Sequence, residues 1–201
     1  MASPLSWPVA VPSALRAPAP VNLGVRLLMH SVHLRDFRKC DASAVNEIGV
    51  AAFEQFASHY QDWPAFQKKI ACMAALAESG EIIVAATDST VVGAVAYLGP
   101  QAPKSDFFPN SWAVMRMLVV SPEWRGQGLG HTLAKACLSK ALRDGAEIFG
   151  LHTSPIMSVA LPMYLRMGFK FVREAPSIHG VAYDIYAKHL TEQCSGAQID
   201  A

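Results

Sequence analysis

Val32 and Leu34 alternate with polar neighbours and predict a first strand opening near Ser31. Asp41 stands where an N-cap would. Val45, Ile48, Ala52 and Phe56 then share one helical face, predicting a helix to about Ala57. Trp63-Pro64 opens a second helix, since proline is tolerated in a first turn, and Gly80 ends it after about Ser79. Two apolar runs, Ile82–Thr87 and Val91–Leu98, are joined by Asp88-Ser89-Thr90 and read as an antiparallel hairpin. A loop rich in Pro and Phe, Pro100 to Asn110, leads to a strand over Trp112–Val120. The main helix follows over Gly128–Asp144, with Leu129, Leu133, Ala136, Cys137 and Ala141 at helical spacing, and Gly145 stops it. The remaining pattern predicts a strand at Glu147–Thr153, a short helix around Ala160–Met167, and strands at Phe169–Arg173 and Ala182–Lys188.

The two ends read differently. The first 24 residues hold five of the thirteen prolines and no acidic residue, a density that precludes helix or central strand. The expectation is a disordered Pro/Ala-rich leader over 1–28, one folded domain over 29–190, and a loose tail over 191–201. At 201 residues and 52% hydrophobic content, one domain has ample material for a core. A net charge of +1 offers no bulk field for nucleic acid or an acidic membrane surface, and no apolar run approaches the ~20 residues needed to span a bilayer. Cys40, Cys72, Cys137 and Cys194 are widely spaced with no Cys-x-x-Cys pair, so neither a zinc site nor a redox pair is indicated. Reduced thiols fit a cytoplasmic protein, and no metal site is expected.

The densest candidate chemistry lies between the strand ending at Val120 and the helix after Gly128. There Arg125 precedes Gly126-Gln127-Gly128-Leu129-Gly130. Glycines let backbone approach a ligand closely, and a helix start leaves amide N–H groups unpaired beside a positive dipole end. Together they make an anion site suited to a phosphate or pyrophosphate. A Walker loop is excluded because no Gly-Lys followed by Ser or Thr is present. A dinucleotide fingerprint is excluded because the sixth position from Gly126 is His131, and Thr153 stands where an acidic residue would end the next strand. A bare strand-to-helix connection with no ligand is the remaining alternative to a phosphate loop.

The segment resembles the coenzyme A pyrophosphate loop of the Gcn5-related N-acetyltransferases (GNAT family). That loop reads Arg or Gln, two residues, Gly, one residue, then Gly or Ala, and Arg125, Gly128 and Gly130 match in order. A second signature matches downstream, where a strand leads to a short helix carrying Tyr164 and then to Gly168-Phe169. One position departs: many members carry asparagine seven residues before the tyrosine, and here Met157 stands there. The resemblance covers roughly 31–190. It implies a mixed, mostly antiparallel central sheet flanked by helices on both faces, with acetyl-CoA as acyl donor. It also implies an acetyl transfer to a primary amine of a small molecule or peptide, by direct attack in a ternary complex. Homodimers are common in such a family.

The roles follow the resemblance residue by residue. Amides from Gly126 to Gly130, including those of Gln127 and Leu129, would hold the pyrophosphate, with Arg125 adding charge-assisted contacts. Leu118, Val119 and Val120 would offer the strand edge to the pantetheine arm, and a backbone N–H of Val119 or Val120 would polarise the thioester carbonyl. Met157 would border the cofactor. Tyr164 would be the general acid protonating the leaving thiolate. The base stays open among Glu54, His59, His152, His179 and a water chain. Phe53, Phe56, His59, Tyr60, Trp63, Phe107, Phe108 and Trp112 are expected near the acceptor, with Phe53 and Phe56 read as core. Met115 and Arg116 sit on the central strand with their faces undecided. Two rival readings remain: a non-catalytic acyl-CoA-binding sensor or interaction domain, and a structural domain with a vestigial loop.

Overall fold

The computed structural model describes residues 31–190, so the expected leader over 1–28 and tail over 191–201 lie outside the described residues. Seven strands form one sheet: β1 (His33–Asp36), β2 (Glu81–Ala86), β3 (Val91–Leu98), β4 (Ala113–Val120), β5 (Ile148–Thr153), β6 (Lys170–Ile178) and β7 (Val181–His189). Their spatial order is β1-β2-β3-β4-β5-β7-β6. All neighbours are antiparallel except β4 and β5. Those two are joined by a helical crossover, as a parallel pair requires. The helices are α1 (Ala42–Glu54), α2 (Trp63–Ile70), α3 (Leu129–Arg143) and α4 (Ala160–Arg166).

Central strands buried along their whole length imply helices on both faces, and the packing shows them. Along β2, Ile83 and Ala85 pack with Leu133, Ala134 and Cys137 of α3, while Ile82 and Val84 pack with Val45, Ile48 and Ala52 of α1. Cys137 is fully buried, as its place in the apolar stripe of α3 predicts. Cys40, Cys72 and Cys137 are free thiols. Among the described residues, no helix is long and apolar enough to cross a membrane, and no group of three or more His, Cys, Asp or Glu could hold a metal.

Several boundaries move for local reasons. α1 ends at Glu54, not near Ala57, because side chains take its terminal carbonyl: Gln55 Nε2 and Arg125 Nη2 both donate to Ala52 O, at 2.9 and 3.1 Å. Asp41 does not cap α1 with its side chain. Its carboxylate instead accepts from both Arg35 terminal nitrogens at 2.7 and 2.8 Å and from the Arg38 amide at 2.7 Å. Asp62 is the residue that caps a helix, accepting from the Ala65 amide of α2 at 2.9 Å. The second helix stops at Ile70, and a separate 3₁₀ stretch runs over Met73–Glu78. Asn46 of α1 accepts the Ala74 amide at 2.8 Å, which diverts the backbone from continuing α2. The sixth strand extends to Ile178 despite Pro176, because an edge strand has no ladder bond to lose on its open side. His179 and Gly180, both with positive φ, then form the two-residue hairpin turn into β7.

Candidate active site

The site begins with an irregularity in β4. Ala94 pairs with Val119 but Ala96 pairs with Arg116, so β4 carries one extra residue there, and Met117 adopts φ +53°. The bulge resolves which face the central strand shows. Met115 joins the α3 side, while Arg116 and Met117 both turn toward α1 and α2. Beyond Met115, β4 also leaves its parallel neighbour. The β4–β5 pairing is confined to Ala113, Val114 and Met115 against Phe149, Gly150 and Leu151. The strands therefore diverge over residues 116–120, and the sheet opens into a wedge.

The loop after β4 sits at the mouth of this wedge. Gly126 and Gly128 have φ of +76° and +79°, the left-handed region that favours glycine, and a Cβ at either would meet nothing within 4 Å. Gly128 is the N-cap of α3 with no side chain capping it, and among the described residues the amides of 126–131 have no protein acceptor. They form a row of free donors at the positive end of a fifteen-residue helix. Arg125 is exposed, and one of its nitrogens is already committed to Ala52 O. It thus ties the loop to the end of α1 as well as charging the cleft.

The cleft itself is ≈ 840 Å³ and runs from the loop along β4 to α4. Of the cofactor residues expected from sequence, Leu118, Val119, Val120, Arg125, Gly126, Gly128, Leu129, Gly130 and Met157 all line it, and Gln127 does not. Sequence reasoning missed its basic wall of His131, Lys135, Arg166 and Lys188. His131 and Lys135 are spaced i, i+4 on α3, a signal that could have been read. No Asp or Glu lines the cleft, so its field favours a polyanion.

A second cavity of ≈ 320 Å³ adjoins it, between α2, β4, β5 and the loop over 100–110. The two share Phe53, Leu118, Met157 and Ala160. Tyr164, one helical turn beyond Ala160, lines this second cavity through the wedge. It is 6% exposed, its ring edge rests on Phe169, and burial raises its phenol pKa above the ordinary value. The Met157 sulfur accepts a bond from Thr153 Oγ1 at 3.3 Å, so the residue at the asparagine position is held by its own strand.

Of the four candidate bases, only His152 lines the second cavity; Glu54, His59 and His179 line neither. His179 is the turn residue whose carbonyl accepts the Gln61 amide at 2.8 Å. His152 packs against Phe107, Phe108 and Tyr183, and burial, aided by the charge of Arg116, lowers its pKa to about 4. Among the aromatics expected near the acceptor, Phe53 and Phe107 line this cavity. Phe53 and Phe56 are half-buried, not core, and both border the larger cleft. Tyr60 is buried and shares a 2.6 Å hydroxyl hydrogen bond with Tyr183. Trp63 packs into that aromatic cluster, and Phe108 and Trp112 form a separate one behind β5.

Residues 43–169, more than half of the chain, match the family described as Acetyltransferase (GNAT) family. A GCN5-related N-acetyltransferase from Rhodopseudomonas palustris superposes with TM-score 0.63 at 25% identity, covering 82% of this chain and 99% of that one. The yncA structure from Salmonella typhimurium, solved with its cofactor acetyl-CoA, gives 0.58 at 17% identity over 82% and 96% of the two chains. A GNAT family acetyltransferase from Brucella melitensis in complex with acetyl-CoA gives 0.55 at 22% identity over 80% and 88%. No curated protein matches the chain.

Proposed function

The chain belongs to the GNAT acetyltransferase family, and on that premise we propose that it moves an acetyl group from acetyl-CoA to a primary amine of a small molecule or peptide, by direct attack in a ternary complex. One observation carries the reading: a basic, acid-free cleft and a small apolar cavity meet at Phe53, Leu118, Met157 and Ala160, with Tyr164 beside the junction. A long anionic donor and a small acceptor are thereby given adjoining spaces with one meeting point. Two relatives of the fold are structures with acetyl-CoA, which supports the choice of donor.

The residues divide the work by their chemistry. The free amides of 126–130 are donors for a diphosphate, with Arg125 and the basic wall supplying charge. The edge of β4 left open over 116–120 offers backbone groups to the extended arm, and of the two candidates the Val120 N–H, on the side of β4 away from β3, is our assignment for polarising the thioester oxygen. In the reaction a C–N bond forms and a C–S bond breaks, the amine loses a proton and the leaving sulfur gains one. Tyr164 stays protonated at neutral pH because burial disfavours its phenolate, which suits the proton to sulfur. His152 lines the cavity, but burial that lowers its pKa to about 4 makes it a weak base, so we assign the amine's proton to a water chain.

The test is Tyr164→Phe, assayed by thiol release from acetyl-CoA under saturating amine. Loss of a general acid lowers kcat by about 10²-fold or more, while CoA binding by calorimetry stays near wild type. Unchanged turnover removes Tyr164 from the chemistry. Tight CoA binding with no thiol release across a broad amine panel favours the sensor reading over the enzyme.

A further inference from the structure

Among the described residues, only two buried side-chain polar atoms lack any hydrogen-bond partner: Nε of Arg116 and Nδ1 of His152. Both residues line the same cavity, the smaller one beside Tyr164. Arg116 has one protein partner, Ser105 Oγ, which accepts from Nη1 at 3.2 Å. No carboxylate pairs with it among the described residues, and none lines the cavity. Burial works against its charge, lowering its pKa below that of a free guanidinium. Arg116 is half-buried with its Nε fully enclosed, and a guanidinium so desolvated without a counter-charge is costly unless something offsets it. Here the chain offers only the Ser105 hydroxyl.

The free edge has a shape. With Nη1 turned to Ser105, the Nε–Nη2 side of the fork is the part without a protein acceptor. Two parallel N–H groups at that spacing match the two oxygens of a carboxylate. Strand alternation from Met115, which packs under α3, puts Arg116 on the opposite face and its fork on the cavity. The only other cation on the lining is Lys69, which is exposed, so the cavity holds one well-placed charge, which fits a monoanion. Around it the walls are apolar, with Phe66, Ile70, Met73, Leu76 and Phe107.

We infer that the acceptor is a small amino carboxylate with an apolar side chain, whose carboxylate pairs side-on with Arg116 while its amine faces the junction near Tyr164. This rests on the acetyl-transfer reading of the site, and the experiment separates the two. Thiol release from acetyl-CoA is measured on the full chain with apolar amino acids and, for each, its carboxamide and its decarboxylated amine. In parallel, calorimetry on CoA-saturated protein compares N-acetylleucine, N-acetylphenylalanine and their carboxamides.

Removing a charged partner from a buried hydrogen-bonded pair lowers the response by about 10- to 100-fold, so the carboxylates lead their neutral partners by that factor in kcat/KM and in affinity. Arg116→Gln abolishes the preference and Arg116→Lys retains part of it, since a lysine keeps the charge without the fork. The matched ligands need only the wild-type protein, so a variant that fails to fold does not remove the test. Equal use of carboxylate and carboxamide, no binding by any member of the panel, or a preference surviving in Arg116→Gln overturns the inference. Stronger use of sulfonate or phosphonate analogues overturns the carboxylate assignment. Absence of thiol release from every amine overturns acetyl transfer, and the calorimetric comparison still reads the Arg116 pairing directly.

Discussion

Gly130→Ala should make the protein more stable and leave its CoA binding near wild type. Gly130 lies in the first turn of α3 and its φ is outside the left-handed region, so alanine adopts the same backbone without strain. An added Cβ would lie 3.5 Å from Leu118 Cδ2 and 3.9 Å from Met163 Sδ, ordinary van der Waals separations. Replacing glycine by alanine at a compatible helical position stabilises by about 0.4–1 kcal/mol through the unfolded state. For a domain of this size that is a rise of roughly 1–4 °C in Tm. Gly130 lines the large cleft, but the resembled loop takes Gly or Ala at this position, so the methyl is expected to leave the amides open to a diphosphate. A methyl that held the ligand off one amide would cost about 1–1.5 kcal/mol, roughly tenfold in Kd. Gly128→Ala is the control of opposite sign. Its φ of +79° strains alanine while its open surroundings add no clash, so it loses about 1–2 kcal/mol of stability. Thermal unfolding of the free protein and calorimetric titration with CoA read both quantities. A tenfold loss of affinity in Gly130→Ala would show that the methyl blocks the diphosphate's approach, and an unchanged Tm in Gly128→Ala would show that the left-handed backbone there is not being enforced.

Two further outcomes follow from burial. Unfolded His152 titrates near 6.5 and the folded residue near 4, so above 6.5 it is neutral in both states and has no effect on the balance. As pH falls from 6.5 toward 4, the unfolded chain takes a proton that the folded chain refuses, and stability drops by up to about 1.4 kcal/mol per pH unit. His152→Gln should flatten that part of the curve in urea unfolding from pH 7.5 to 4.5; a variant with the wild-type slope would place the titration elsewhere. Gly150→Ala puts a Cβ 2.8 Å from Trp112 Cε3, an overpacking that costs about 1–3 kcal/mol and a lower Tm.

The order of elements was readable because each run carried its own period and its own punctuation. Proline at 64, glycine at 145 and the apolar runs of β2 and β3 marked their elements correctly. The donor loop was legible for the same reason, since free amides and left-handed turns leave glycines in the sequence. What the pattern could not show were long-range partners. Asn46 intercepts a backbone donor 28 positions away and shortens α2, and Asp41 turns to Arg35 instead of the helix it precedes. Neither leaves a trace in local periodicity. The smaller cavity was the least legible part. It sits where β4 takes one extra residue near Met117, and a bulge in a run of apolar residues looks like any other strand. Arg116 stood out as a cation on a central strand, but only the packing of Met115 under α3 decides which way its neighbour faces.

Along the seam where the wedge opens, β4 and β5 are held by three residue pairs. One leaf of the sheet, β1 to β4, comes from the first half of the described chain, and the other, β5 with β7 and β6, from the second. The hairpins β2–β3 and β6–β7 close over short distances, whereas the seam waits for the whole of α3 to fold across it. Loop-closure cost therefore makes this junction late to assemble and early to part. Anything lodged between the leaves makes that parting harder, so occupancy of the wedge and persistence of the fold are coupled through one short ladder.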